Sequence, residues 1–281
     1  MKLHGFRDKA LHFQRRTHGV ALLLLRALAI ALGRDEHSFE EPFQLDAPDN
    51  PSLIAWNKYP AVAPDDAAKP QPPRLHAHAD MDVLTILFQR VGAVVACAAV
   101  VSRFPAQADL RGGAGDVGLE IAPGSEVENP EIIEDIGNIW NAVPVARTWT
   151  PLDPKPGCLT VNIGDGLTRW TDGLLKSTYH RVRTPGAGEN LVSRLANASR
   201  WLRDSRPLTR SVCTSNQGER YSMPYFLNAK LNYEIQGPSK RWPPLTGYDL
   251  LAKTGATYEA RKNDPTGAWQ AAAYGQPQAA S

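Results

Sequence analysis

Cysteine is scarce in this 281-residue chain. There are three, Cys97, Cys158 and Cys213, with no C-x-x-C pair. That spacing excludes a disulfide framework and a thiolate zinc site, and suits a reducing compartment. Cys158 is expected to pack near the start of a strand. An excess of either charge is also lacking: the formal net charge is +2, which leaves no electrostatic case for nucleic acid. No apolar run is long enough to span a bilayer. The longest, Val20 to Leu32, is interrupted by Arg26 and follows a polar leader, so it reads as a buried amphipathic helix and not as an anchor or secretion signal. The expectation is a cytoplasmic protein with no nucleic-acid or membrane partner.

What the chain does have is strand signals separated by turns, behind one long helical stretch. Residues 1–33 read as helix, with Gly33 placed to stop it. Strands are expected over Ser52–Trp56, Val83–Phe88, Leu119–Ile121, Cys158–Ile163 and Ser177–Val182, with Gly164-Asp165 as a turn and a Pro- and Ala-rich loop over 61–73. This pattern favours a mainly β fold with flanking helices, a jelly-roll sandwich. Gly113 to Gly118 matches G-x-G-x-x-G, but alternating Leu119-Glu120-Ile121 follows where a dinucleotide site needs a helix.

The centre of the chain is Arg74 to Gln89, RLHAHADMDVLTILFQ. In an extended strand, residues two apart face the same way, so His78 and Asp80 can aim an imidazole and a carboxylate at one point. A second histidine would complete the two-His, one-carboxylate facial triad that holds Fe(II) with open positions. The best candidate is His180, in KSTYHRV. His76 shares the strand face of His78 and is expected at the pocket rim.

Three ordered blocks carry a family resemblance. RLHAHADMDVLTILFQ resembles the first iron-ligand region of the 2-oxoglutarate-dependent dioxygenases, in the branch that includes isopenicillin N synthase. VNIGD with RWTDG and KSTYHRV looks like the second-ligand region, and Arg220-Tyr221-Ser222 looks like the R-x-S co-substrate motif. The resemblance covers roughly residues 22–264. It implies a double-stranded β-helix backed by the N-terminal helix, with Leu23, Leu24, Leu25, Leu28 and Ala29 facing the core. It implies Fe(II) on His78, Asp80 and His180. 2-Oxoglutarate would lie on Arg220 and Ser222, with Asn57 and Tyr59 of N-x-Y-P as further contacts, or else as a strand-end hydrogen-bond pair. O2 would be the other co-substrate.

The expected organisation is a helical region over 1–50, with the family's N-terminal domain truncated, then a jelly-roll domain over 51–250 and a C-terminal extension over 251–281. Two segments depart from the family pattern, 90–115 and 186–217. Each reads either as a surface loop or as translated non-coding sequence. The arginines of the second could also form a basic patch. The implied activity is oxidation of a small molecule coupled to conversion of 2-oxoglutarate to succinate and CO2. The alternatives are an inactive relic of the fold and an iron oxidase that does not use 2-oxoglutarate.

Overall fold

The computed structural model of the protein describes residues 5–60, 73–89, 118–126, 148–155, 157–184 and 220–252. The segments 90–115 and 186–217, the apolar stretch 132–140 and the tail 271–281 lie outside the described residues, as do Cys97 and Cys213.

The chain opens with helix α1 (Phe6–Ala31). It stops where Gly33 takes φ +69°, a conformation open to glycine at little cost. There Arg34 N–H donates to Ala29 O and Gly33 N–H to Ile30 O, closing a Schellman cap. Ala21, Leu25 and Ala29 recur every four residues and are fully buried. Leu24 and Leu28 pack at the margin of that stripe. Leu23, expected in the core, is 61% exposed. At 100° per residue it lies on the far side of the helix from Ala21 and Leu25.

The strands are β1 (Leu53–Ile54), β2 (Asn57–Tyr59), β3 (Leu75–His78), β4 (Leu84–Gln89), β5 (Leu119–Glu126), β6 (Thr150–Pro151), β7 (Thr160–Ile163), β8 (Thr178–Val182), β9 (Arg220–Leu227), β10 (Glu234–Ile235) and β11 (Leu245–Thr246). A short helix α2 (Asp165–Trp170) follows β7. All pairings among the described residues are antiparallel. One sheet has the order β1-β9-β4-β7, with β2 also paired to β9; the other has the order β3-β8-β5-β6, and β10 pairs with β11. Cys158 is exposed just before β7. Gly164-Asp165 opens α2 instead of forming a free turn.

Period-two alternation divides each strand between core and cavity. In β4 and β9, Leu84, Ile86, Tyr225 and Leu227 turn toward α1 and join Phe39, Phe43 and Trp170 in the core. Burying each such side chain contributes about 1.5–3 kcal/mol. Their neighbours Thr85, Leu87, Ser222, Pro224 and Phe226 face the other way, and Thr178, His180 and Val182 of β8 meet them across a cavity of about 310 Å³. Two antiparallel sheets facing each other across an open cavity, one backed by a helix, make this a double-stranded β-helix. Among the described residues no helix is long and apolar enough to cross a membrane.

Candidate metal centre

His78 is the last residue of β3, in the four-stranded sheet. Asp80 is not on that strand. By Asp80 the chain has left β3 and is crossing to β4 in the other sheet, so the expected single ligand-bearing strand is a strand end followed by a turn. Strand alternation therefore does not explain why the two side chains converge; the turn does. Helix α2 holds it from below. Asp165 N–H donates to Asp80 O at 2.8 Å, Gly166 N–H to Asp82 O at 3.0 Å and Gly164 N–H to Val83 O at 3.2 Å. These are helix-start donors that would otherwise lack intrahelical partners. Gly164 permits the approach, since a Cβ there would sit 2.1 Å from Asp82 O.

The register pairs His78 with His180 across β3 and β8, which sets the two ring centroids 4.3 Å apart. Asp80 Oδ1 lies 3.5 Å from His78 Nε2 and 3.6 Å from His180 Nε2. One ligand atom from each of the three residues falls within 4.8 Å of the others. Both rings are oriented in the same way. His78 Nδ1 donates to His76 O at 2.7 Å and His180 Nδ1 to Thr178 O at 3.2 Å, which leaves both Nε2 lone pairs aimed at the centre. One carboxylate oxygen and two neutral imidazole nitrogens, with one side open, suit Fe(II).

The other carboxylate oxygen is held from behind. Asp80 Oδ2 accepts from Asn162 Nδ2 at 2.7 Å and from the Thr85 hydroxyl at 2.6 Å. Thr85 Oγ1 is also 2.8 Å from Asp82 Oδ2. A hydroxyl has one proton to donate, so the second contact requires a protonated Asp82. Burial, reinforced by the Asp80 charge, pushes the Asp82 carboxyl well above its ordinary range, and neutral Asp82 donates to Thr85. Burial alone would also raise Asp80, but in the metal-free centre positive charge on His180 and His78, with the Thr85 hydroxyl, holds it below the usual carboxylate range; a bound cation would take that role and leave both rings neutral. Desolvation lowers His180, against the pull of Asp80. Asp165 is pushed up to about 7, chiefly by burial.

Along β9, away from the centre, Arg220 is 2% exposed. Its Nη2 donates to Gln89 Oε1 at 2.9 Å and its Nη1 to Ser222 Oγ at 3.2 Å. The guanidinium lies over the Tyr59 ring at 4.9 Å, because β2 pairs Tyr59 with Arg220 and Asn57 with Ser222. Asn57, Tyr59, Arg220 and Ser222 all line the same cavity as His78, Asp80 and His180. A cation this deeply buried needs a counter-charge, and its planar fork matches a carboxylate. All seven site residues expected from sequence therefore surround one cavity.

His76 does not line it. The register shift between Leu75 and His78 breaks the alternation, so His76 contributes its carbonyl and not its ring. Thr85, Asn162 and Gln89 did not stand out in the sequence, although each is a polar residue in an otherwise apolar strand. On a half-buried strand that is a signal of a polar partner across the pocket.

The fold is a double-stranded β-helix, and this centre is a candidate His-Asp-His metal site. The model for the 2OG-Fe(II) oxygenase superfamily matches residues 135–204, the stretch that contains His180. Over that stretch the chain is similar to this superfamily, whose name gives 2-oxoglutarate and Fe(II) as its cofactors. It is similar to the 2-oxoglutarate-Fe(II) type oxidoreductase ppzD of Metarhizium majus, at 30% identity over 64% of this chain and 38% of that protein. It is also similar to gibberellin 2-beta-dioxygenase 8 of Arabidopsis thaliana, at 25% over 61% of this chain and 35% of that one. The chain thus spans about two fifths or less of the length of these relatives. In fold it is similar to a full-length Neurospora crassa protein solved in complex with alpha-KG and 5-formyluracil. The TM-score is 0.57 at 20% identity, covering 90% of this chain and 61% of that one.

Proposed function

We propose that the chain is an Fe(II)- and 2-oxoglutarate-dependent dioxygenase that oxidises a small molecule, with succinate and CO2 as co-products. The observation that carries this reading is Asp80 Oδ1 set between two imidazole Nε2 atoms, in a cavity that also holds the buried Arg220–Ser222 pair. His78, Asp80 and His180 are the metal ligands, and Arg220 and Ser222 bind the distal carboxylate of 2-oxoglutarate. Tyr59 supports the guanidinium from below, and Asn57 adds a polar contact. Residues 51–250 form the catalytic unit, backed by the helical region 1–50. The activity belongs with hydroxylation, desaturation or ring closure in secondary metabolism, as in isopenicillin N synthase-like enzymes, and the enzyme works as a cytoplasmic monomer.

Iron bound here would supply the activation of O2 coupled to decarboxylation of 2-oxoglutarate. The protein's own part is positional. Thr85 and Asn162 fix Asp80 as a one-oxygen ligand, and the backbone carbonyls of His76 and Thr178 fix the imidazole tautomers. Arg220 anchors the co-substrate at one end so that its other end reaches the metal. Apolar walls from Leu75, Leu119, Ile121 and Val182 keep water from the reacting groups.

The test is an anaerobic titration with Fe(II), then 2-oxoglutarate, followed by visible absorbance. A saturable charge-transfer band, with succinate release once O2 and a substrate are supplied, is the expected result. A folded sample that gives no band would refute the assignment.

A further inference from the structure

Lys176 lines the cavity on the opposite side of the metal centre from Arg220, and among the described residues it has no carboxylate partner. The register gives its position. Val182 pairs with Leu75 and His180 with His78. Arg74, next to Leu75, donates to Pro60 O at 2.8 Å, beside the Tyr59 ring that carries Arg220. The Val182 end of β8 is therefore the Arg220 end of the cavity. Moving back along the strand, His180 and Thr178 share the cavity face; Lys176, two residues before the strand starts, lines the same cavity, so it stands beyond the centre, exposed at the mouth.

Counting the charges that line the cavity makes this cation stand out. Asp80 with a divalent ion leaves one positive charge, and 2-oxoglutarate with Arg220 leaves one negative charge. These cancel. Lys176 remains, one positive charge at the mouth of a cavity with largely apolar walls.

On the functional reading above, we propose that Lys176 is a specificity-determining residue. It selects small, largely apolar substrates that carry a carboxylate, which it holds together with the Thr178 hydroxyl while the apolar part reaches inward to the metal centre. Such a contact at a pocket mouth contributes through charge attraction that salt weakens.

The experiment uses the anaerobic Fe(II) protein saturated with 2-oxoglutarate, so that Arg220 is already occupied. The probes are 3-phenylpropionate and its uncharged isostere 3-phenylpropionamide, titrated by calorimetry. The expected result is about ten-fold tighter binding of the carboxylate. That ratio should fall to about one in Lys176→Ala, persist in Lys176→Arg and shrink as salt rises. The Fe(II)–2-oxoglutarate band reports folding of each variant. Equal affinities in the unaltered protein, no binding of either probe, or a ratio that survives Lys176→Ala would each overturn the proposal. Failure to form the band at all would instead strike the reading on which it rests.

Discussion

Asn162 donates to Asp80 Oδ2 at 2.7 Å and so ties β7 to a turn between the two sheets. With Thr85 it occupies the oxygen that faces away from the imidazoles, which leaves Oδ1 for a metal. Partners behind a ligand commonly tune metal affinity 10- to 100-fold.

Asn162→Ala should therefore weaken Fe(II) binding by roughly 10- to 100-fold while the protein stays folded. Competition with a metal-sensitive chelator measures it. Unchanged affinity would mean that Thr85 alone fixes the carboxylate.

Arg220→Ala should weaken 2-oxoglutarate by about 2–5 kcal/mol, since the distal carboxylate loses a buried charge partner. Arg220→Lys keeps the charge but loses the fork and should fall between. The charge-transfer titration reads both, with Fe(II) affinity measured separately. Equal loss of iron and co-substrate would indicate that β9 had come apart.

Asp165 leads to a pH prediction for the metal-free protein. Its carboxyl is raised from 3.8 to about 7 in the folded state, so the folded chain holds a proton there that the unfolded chain has released. This contribution is complete below about pH 4 and is lost as pH rises through about 7, a change on the order of a few kcal/mol. The lowered His180 and His18 act oppositely, destabilising as pH falls below 6.5. Subtracting the denaturant stability of Asp165→Asn from that of the unaltered protein at pH 5 and pH 8 isolates the Asp165 contribution. The difference should favour the unaltered protein more at pH 5.

Two leucines on α1 separate a buried from an exposed face. Leu25→Ala should cost about 2–5 kcal/mol, because the cavity opens against the sheet. Leu23→Ser should stay within about 0.5 kcal/mol. Denaturant midpoints of the two variants test this directly.

How far the sequence could be read depended on how local each signal was. His78, Asp80, His180 and Arg220 stood in short motifs, and the β-rich class followed from turn-bounded strands. The sheet switch at residues 79–83 was not visible, because H-x-D looks the same within a strand as across a strand end. Leu23 sits in a run of four leucines, Leu22 to Leu25, which hides helical phase. The roles of Asn162 and Gln89 depend on partners 82 and 131 positions away, which no short window along the chain contains; Thr85 bonds Asp80 only five positions back, but across the sheet switch.

The convergence of Asp80 and His180 also bears on chain topology. An ion held by both would act as a cross-link closing a ring of about a hundred residues, and it would restrict the unfolded ensemble much as a disulfide does. Closure entropy grows only with the logarithm of ring size. Lengthening such a ring by the residues of the expected insertion at 90–115 would therefore add only about 0.3 kcal/mol to its closure. A metal site of this kind tolerates long excursions between its ligands, and the chain between Asp80 and His180 could vary in length over evolution at little cost to the centre.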